Sequence, residues 1–525
     1  MKSKRATRSS KAAPRSSKPA LLICAGLLAA VSAAAVWFFY SNGWLLYYGD
    51  AEAHLNIARR LFDSQTPGYD QIGSYWLPLP HVLMLPFVHV DAWWHSGLAA
   101  SFPAAICFVV GGVFLFAASR RIFRSTAPAV AATALAALNP NLLYLQSTAM
   151  TEAVFFAALM ALLYFGARFA DREPYWAAAA AGIATCAATL TRYEGWFLIP
   201  FAAAWFLITG RKRRISATLL FCVLAAAGPV YWSAHGWYET GDFLDWYRGP
   251  YTARALQGDA PCPGRGDWHM AWYYYRNAVE LCAGTVLAIA GVGGLIAAVV
   301  KFRTAARLWP YLLLAVPGMF YIWSMHSGVV PIFMPHLWPH SYYNTRYGLA
   351  ALPLLALAGA SLIAVVPDRF RNVAAVGLVL ACIVPWLAYP RPANWITWSE
   401  SRANSIGRRA WMHEAADFLT ANYRRGSGII TSSGDDFFGI YREMGIPLRE
   451  TFSLNNGLVW DATVARPDLF LWQEWAVVRG GDPVQSAVNR ALRYGIRYQL
   501  EKTIIEKDEP VIEIYRRIGG SHGPS

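Results

Sequence analysis

The stretch LLYYGDAEAHLNIARRLF, residues 45–62, sets two carboxylates and an imidazole, Asp50, Glu52 and His54, directly behind a long apolar run. Such groups can take a proton from an acceptor, hold a cation, or start a helix. Four more ionisable residues stand at the ends of apolar runs: Glu152 in STAMTEAVFF, Arg192 and Glu194 in LTRYEGW, and Arg346 in SYYNTRYGLAALP. A guanidinium gives paired, charge-assisted hydrogen bonds to phosphate or carboxylate. The set therefore contains candidate bases and candidate anion holders.

The elements that must position these residues are membrane helices. The 525-residue chain is 56% hydrophobic and only 15% charged, the composition of an integral membrane protein. Apolar windows of bilayer-crossing length, roughly 17 to 25 residues, recur near residues 20–40, 97–118, 127–146, 152–169, 175–191, 194–209, 215–234, 278–300, 308–325, 347–366 and 371–389. These predict a polytopic α-helical membrane domain of about eleven spans over 20–389, preceded by a basic tail, 1–19, and followed by an α/β domain, 390–525. In the latter, AWMHEAADFLTANYR has the pattern of an amphipathic helix, GIITSS and PVIEIYRRI of strands. Asp435 and Asp436 are expected to open a helix rather than hold a metal.

The net charge of +14 is compatible with nucleic acid, but its placement favours topology. The basic tail and the connections SRRIFRS, RFADREP, GRKRR, KFRTAAR and PDRFR fall on one side if the N-terminus is cytoplasmic. That leaves 41–96, the 147–151 turn, the turn in LTRYEGW, 235–277, 326–346 and the α/β domain external, and with them, or at the external ends of spans, every ionisable residue named above. The Trp-, Tyr- and Pro-rich external segments suit interfacial or re-entrant structure. Seven cysteines lack metal-type spacing. Cys262 and Cys282 are expected as separate thiols, with pairing across an external loop the alternative.

A polar bowl opening outward among membrane helices suits attack by a hydroxyl or amine acceptor on a sugar carried by a lipid phosphate. The lipid tail needs apolar surface, the phosphate needs arginine, and the acceptor needs one carboxylate base. Glycoside hydrolysis needs two matched carboxylates, whereas a lipid phosphate leaves without a general acid, so a single inverting displacement suffices. Asp50 is the expected base, Arg346 the phosphate holder, and Glu152 a group that orients the acceptor or supports Asp50. Asp50 is also expected to cap a helix lying along the membrane surface, with Leu55, Ala58 and Phe62 on its apolar face and Asn56, Arg59 and Arg60 largely elsewhere. Arg192, Glu194, Glu52, His54, His340 and Tyr343 are further substrate-binding candidates. Asp50, Glu52 and His54 could hold Mg, Mn or Zn, as could His336 and His340 in MPHLWPH, although the prolines there oppose a regular helix.

YYGDAEAHLNIARRLFDSQTPGYDQIGSYWLPLPHVLMLPF resembles the first external loop of the GT-C superfamily of membrane glycosyltransferases, which includes protein O-mannosyltransferases and bacterial aminoarabinose transferases. The resemblance extends to the acidic residue of the second external turn, here Glu152, and to an arginine before a late span, here Arg346. It implies a multi-span domain with an external soluble domain, a polyprenyl-phosphate sugar donor, a lipid, glycan or protein acceptor, and Asp50 in the place of the catalytic base. Many relatives carry adjacent acids, whereas Ala51 separates Asp50 from Glu52. The WWD-type run of oligosaccharyltransferases is missing from the soluble domain, which disfavours transfer of a whole oligosaccharide. The expected location is a bacterial inner or plasma membrane, with no nucleic-acid partner. The alternatives are a transporter or flippase, or a scaffold in which the α/β domain acts and the spans only anchor it.

Overall fold

A computed structural model describes residues 18–302, 305–388, 394–432 and 434–518. Nearly all of the expected basic tail, two residues of KFRTAAR and the expected domain junction at 389/390 lie outside the described residues.

Among those residues, seven helices are long and apolar enough to cross a membrane: Lys18–Ser41, Leu98–Phe123, Glu152–Arg172, Arg214–Thr240, Leu308–His326, Thr345–Val365 and Asp368–Ala388. An eighth follows if the bent pair Trp268–Ala283 and Thr285–Lys301 counts as one. The expected count of about eleven is therefore too high by this measure. The 127–146 window is interrupted: Thr126–Ala137 ends, and Asn139 caps a new helix, Pro140–Leu145, by accepting from the Asn141 and Leu142 amides. Tyr175–Thr189 and Glu194–Thr209 hold 15 and 16 residues, roughly 24 Å at most against a hydrocarbon core of roughly 30 Å. The 278–300 window is broken at Gly284, where φ is +87° and the two helices diverge by 112°. Only glycine takes that backbone conformation without strain.

Small residues let the helices meet. A Cβ on Gly294 would lie 1.8 Å from the Ala358 carbonyl oxygen, so Thr285–Phe302 packs backbone to backbone against Leu352–Val365, as membrane helices do where dispersion replaces the hydrophobic effect.

The C-terminal region carries a five-stranded sheet of order β2-β1-β3-β5-β4, where β1 is Ile429–Thr431, β2 Thr451–Phe452, β3 Trp475–Arg479, β4 Arg497–Ile504 and β5 Ile512–Ile518. β1 runs parallel to β2 and β3, and β5 antiparallel to β3 and β4. Trp475, Ala476, Val477 and Val478 of β3 are all buried, the continuous burial of a strand covered on both faces. The helix Ile406–Asn422, β1 and β5 fall on the three segments read from the sequence. Asp435 and Asp436 stand in the first turn of Gly434–Met444.

The element that matters most for the site is the helix Gly49–Arg60, and it departs from expectation. It does not lie along a surface: every residue from Ala51 to Arg60 is buried. Its polar side is satisfied internally. Arg59 donates to Asp63, to the Val88 carbonyl and to Asp91, and Arg60 donates to the Gln71 carbonyl. At the C-terminal region, Glu52 accepts from Arg442 Nε at 2.8 Å, Asp63 accepts from the Leu448 and Arg449 amides, and Gln71 donates to the Asn455 carbonyl. The helix is thus clamped between the apolar helices and the sheet region. Asp50 is not its N-cap either; Tyr48 holds that place with extended backbone, and Asp50 sits in the first turn, where a carboxylate still complements the helix dipole.

Candidate active site

A cleft of about 370 Å³ lies at the ends of the apolar helices, within the roughly 300–1,000 Å³ range of small-molecule sites. Asp50, Arg192, Glu194 and Arg346 all line it. Three short segments far apart in sequence thus deliver their ionisable residues to one place.

Arg346 organises the cluster from the first turn of Thr345–Ala351. Its Nη2 donates to Asp50 Oδ2 at 2.5 Å, its Nη1 to Glu400 Oε1 at 3.3 Å, and its Nε stands 3.5 Å from Glu152 Oε1. The guanidinium also lies 5.0 Å from the Tyr48 ring centroid and 5.1 Å from that of Tyr347, within cation–π range. Of its three carboxylates, Asp50 is 39% exposed, Glu152 6% and Glu400 1%. Asp50 is the most exposed of the three.

Arg192 builds the second half. It donates to Thr151 Oγ1 at 2.6 Å, Glu152 Oε1 at 3.0 Å, Glu194 Oε1 at 2.5 Å and Tyr321 Oη at 2.6 Å. Glu152 therefore joins the two arginines, and it does so from behind: it is buried and does not line the cleft. From that position it backs Arg346, which binds Asp50, and links the two guanidiniums. Tyr347 contacts both, its ring centroid 5.2 Å from Arg192 as well as 5.1 Å from Arg346. Rigid, desolvated guanidiniums of this kind are pre-organised for an anion.

Glu400 was missed by sequence reasoning, which confined the site to residues 41–346. It comes from Ile396–Ala403, just beyond the last apolar helix, and it accepts the Thr345 amide at 2.7 Å as well as Arg346. Burial pushes its carboxyl upward, with Arg346 opposing. No local signal marks it, because an acid in ITWSES looks like any other residue of a soluble segment. Tyr48, Tyr321 and Tyr347 were missed for the same reason; aromatic residues are common throughout this chain.

Other candidates part company. Glu52 turns away from the cleft to Arg442, whereas His54 remains in the cleft wall with Nδ1 at 2.8 Å from His81 Nε2. Asp50, Glu52 and His54 therefore do not converge as a donor set. Among the described residues no group of three or more His, Cys, Asp or Glu side chains is placed to hold a metal ion. Tyr343 lines the cleft, but His340, with φ +60° and its Nδ1 on the Pro335 carbonyl, does not. His336 faces Asn277. Cys262 and Cys282 are separate thiols, bonded to the Met325 and Thr345 carbonyls.

Comparison with known proteins agrees with this architecture. Residues 94–237, which include Glu152, Arg192 and Glu194, match the family model of dolichyl-phosphate-mannose-protein mannosyltransferases. The fold is similar to that of ArnT from Cupriavidus metallidurans in the apo state, with TM-score 0.52 and 14% identity over 88% of this chain and 93% of that one. The oligosaccharyltransferase of Archaeoglobus fulgidus aligns over 88% of this chain and 70% of its own with TM-score 0.48 and 12% identity. No curated protein sequence matches the chain. In the sequence of residues 94–237 and in its fold the chain is thus similar to membrane glycosyltransferases, the resemblance that Asp50, Glu152 and Arg346 carry.

Proposed function

We propose that the protein transfers a single hexosyl or pentosyl group from a polyprenyl-phosphate donor to a lipid, glycan or protein acceptor, with inversion, at the external face of a bacterial inner or plasma membrane. The N-terminus would then be cytoplasmic and the sheet-bearing region external. The observation that carries this reading is Asp50 bound to Arg346 at the open edge of the cleft.

In the free protein Arg346 Nη2 is engaged by Asp50. A donor phosphate entering the cleft competes for that guanidinium, which still keeps Glu152 and Glu400 behind it. Asp50 is thereby released toward the acceptor. The acceptor oxygen or nitrogen attacks the anomeric carbon, Asp50 takes its proton, and the bond from that carbon to the phosphate oxygen breaks. The electron pair leaves on the phosphate, stabilised by Arg346 and, through the linked cluster, Arg192. Positioning by a rigid cluster contributes as much as proton removal. No step here depends on a metal.

The matched family's description supports a polyprenyl-phosphate donor. A transporter would place its ionisable residues near the bilayer midplane, whereas Glu152 and Arg346 open their apolar helices and Asp50 follows one. The test is to supply the purified protein with polyprenyl-phosphate sugars and a membrane extract and to determine the anomeric configuration of the product. Inversion supports a single displacement; retention, or no transfer to any acceptor fraction, overturns it.

A further inference from the structure

We propose that His54 and His81 form a neutral, fixed-tautomer hydrogen-bond donor for the donor phosphate, with His54 in contact and His81 as the positioning residue. The proposal rests on the reading of the cleft as a phosphate-binding site.

Both rings are buried, and His54 Nδ1 lies 2.8 Å from His81 Nε2. One hydrogen fits between two such nitrogens, so the question is which ring supplies it. His81 Nδ1 decides: it is buried and has no hydrogen-bond partner among the described residues. A proton there would bury an N–H with nothing to accept it, and orphaned buried donors are rarer than under-used acceptors. His81 therefore carries its proton on Nε2 and donates to His54. His54 Nδ1 is an acceptor, and its own proton must sit on Nε2.

That nitrogen makes no hydrogen bond among the described residues, and its ring forms part of the cleft wall. Burial, with the fields of Arg346 and Arg192, pushes the imidazole down to about 3, so the ring stays neutral at working pH. His54, Arg192 and Arg346 line the same cleft, so an anion held there by the two guanidiniums shares the space that the His54 ring faces. A neutral N–H serves it well, because it adds a bond to a phosphoryl oxygen without a third cation that would tether Asp50 more tightly. Trp76, 4.9 Å away between ring centroids, supports the imidazole edge on.

Two measurements on the full-length protein test this, neither of which needs turnover. The first is the ¹⁵N spectrum of the histidine-labelled protein, assigned by the signals lost in His54→Gln. A protonated Nε2 on His54 in the wild type, giving way to mixed tautomers in His81→Phe, is expected; a protonated Nδ1 overturns the proposal. The second is binding of farnesyl phosphate, compared with octyl glucoside. Loss of one such bond is expected to weaken farnesyl phosphate by about tenfold in His54→Leu and by less than about threefold in His54→Gln, which keeps an N–H. Octyl glucoside binding is expected to stay unchanged. If His54→Leu weakens the glycoside instead, the ring serves a sugar hydroxyl and the proposal fails. If Arg346→Ala weakens farnesyl phosphate while His54→Leu does not, the proposal fails and the phosphate-binding reading stands. If Arg346→Ala has no effect either, both fail.

Discussion

Arg346 Nη2 lies 2.5 Å from Asp50 Oδ2, and the same guanidinium faces Glu152 and Glu400 on its buried side. One cation thus answers three carboxylates, and only the exposed one can exchange it for a ligand. Arg346→Ala leaves Glu152 and Glu400 facing a hole, a defect worth about 3–5 kcal/mol when a buried pair is broken. Arg346→Lys keeps the charge but has no planar fork. It is expected to remain folded by thermal unfolding while kcat/KM falls by about 10²-fold or more. Wild-type activity in Arg346→Lys would show that a point charge suffices.

The Asp50 helix is also held through Glu52, whose carboxylate is buried against Arg442 of the C-terminal region, and Arg442 Nη1 donates to the His95 carbonyl. Removing either partner buries an unpaired charge, with an expected loss of about 3–5 kcal/mol. The double variant Glu52→Gln with Arg442→Gln is expected to recover more stability than either single change predicts, read as a coupling energy in a double-mutant cycle. Additive losses would show that the two side chains do not depend on each other.

Glu400 gives the site a pH dependence. Its folded carboxyl is raised by burial, so the folded chain holds that proton more tightly than the unfolded chain. The stability it contributes is full below the ordinary glutamate value and is lost as pH rises through the raised one. Glu400→Gln removes this loss, and its melting temperature is expected to change less than that of the wild type across that window. Parallel curves for the two proteins would remove Glu400 from the account.

Gly294 tests the packing beneath the site. Because a Cβ would meet the Ala358 carbonyl, Gly294→Ala is expected to separate two helices and cost about 1–3 kcal/mol as overpacking does. Thermal unfolding in detergent checks this, and an unchanged midpoint would mean that the helices are not in backbone contact.

The sequence disclosed the site in proportion to how unusual each residue was in its setting. Asp50, Arg192, Glu194 and Arg346 stood out because charge at the end of an apolar run is costly and needs a reason, and all four line one cleft. Glu400 could not stand out among the charges of a soluble segment, and nothing local records that Ile396–Ala403 returns to the cleft. Fewer long apolar helices than apolar windows appear because local breaks are invisible to hydropathy: the Asn139 cap divides one window and Gly284 bends another. The periodicity of the Asp50 helix, with Leu55, Ala58 and Phe62 on one face and Arg59 and Arg60 largely off it, predicts an interfacial helix. The partners of the two arginines, Asp63, Asp91 and the carbonyls of Val88 and Gln71, lie within the same segment, 41–96, but pairing of this kind depends on chain folding that periodicity does not encode.

The central claim is that Asp50 removes the acceptor proton after yielding Arg346 to the donor phosphate. The most direct measurement is single-turnover transfer by Asp50→Asn at saturating polyprenyl-phosphate sugar, alongside binding of the same donor. Asparagine keeps the size and the helix position but cannot take the proton. The rate is expected to fall by about 10²- to 10⁴-fold while donor affinity is kept or improved, because Arg346 no longer has to leave a carboxylate. Transfer at the wild-type rate, or a loss confined to donor binding, would contradict the account.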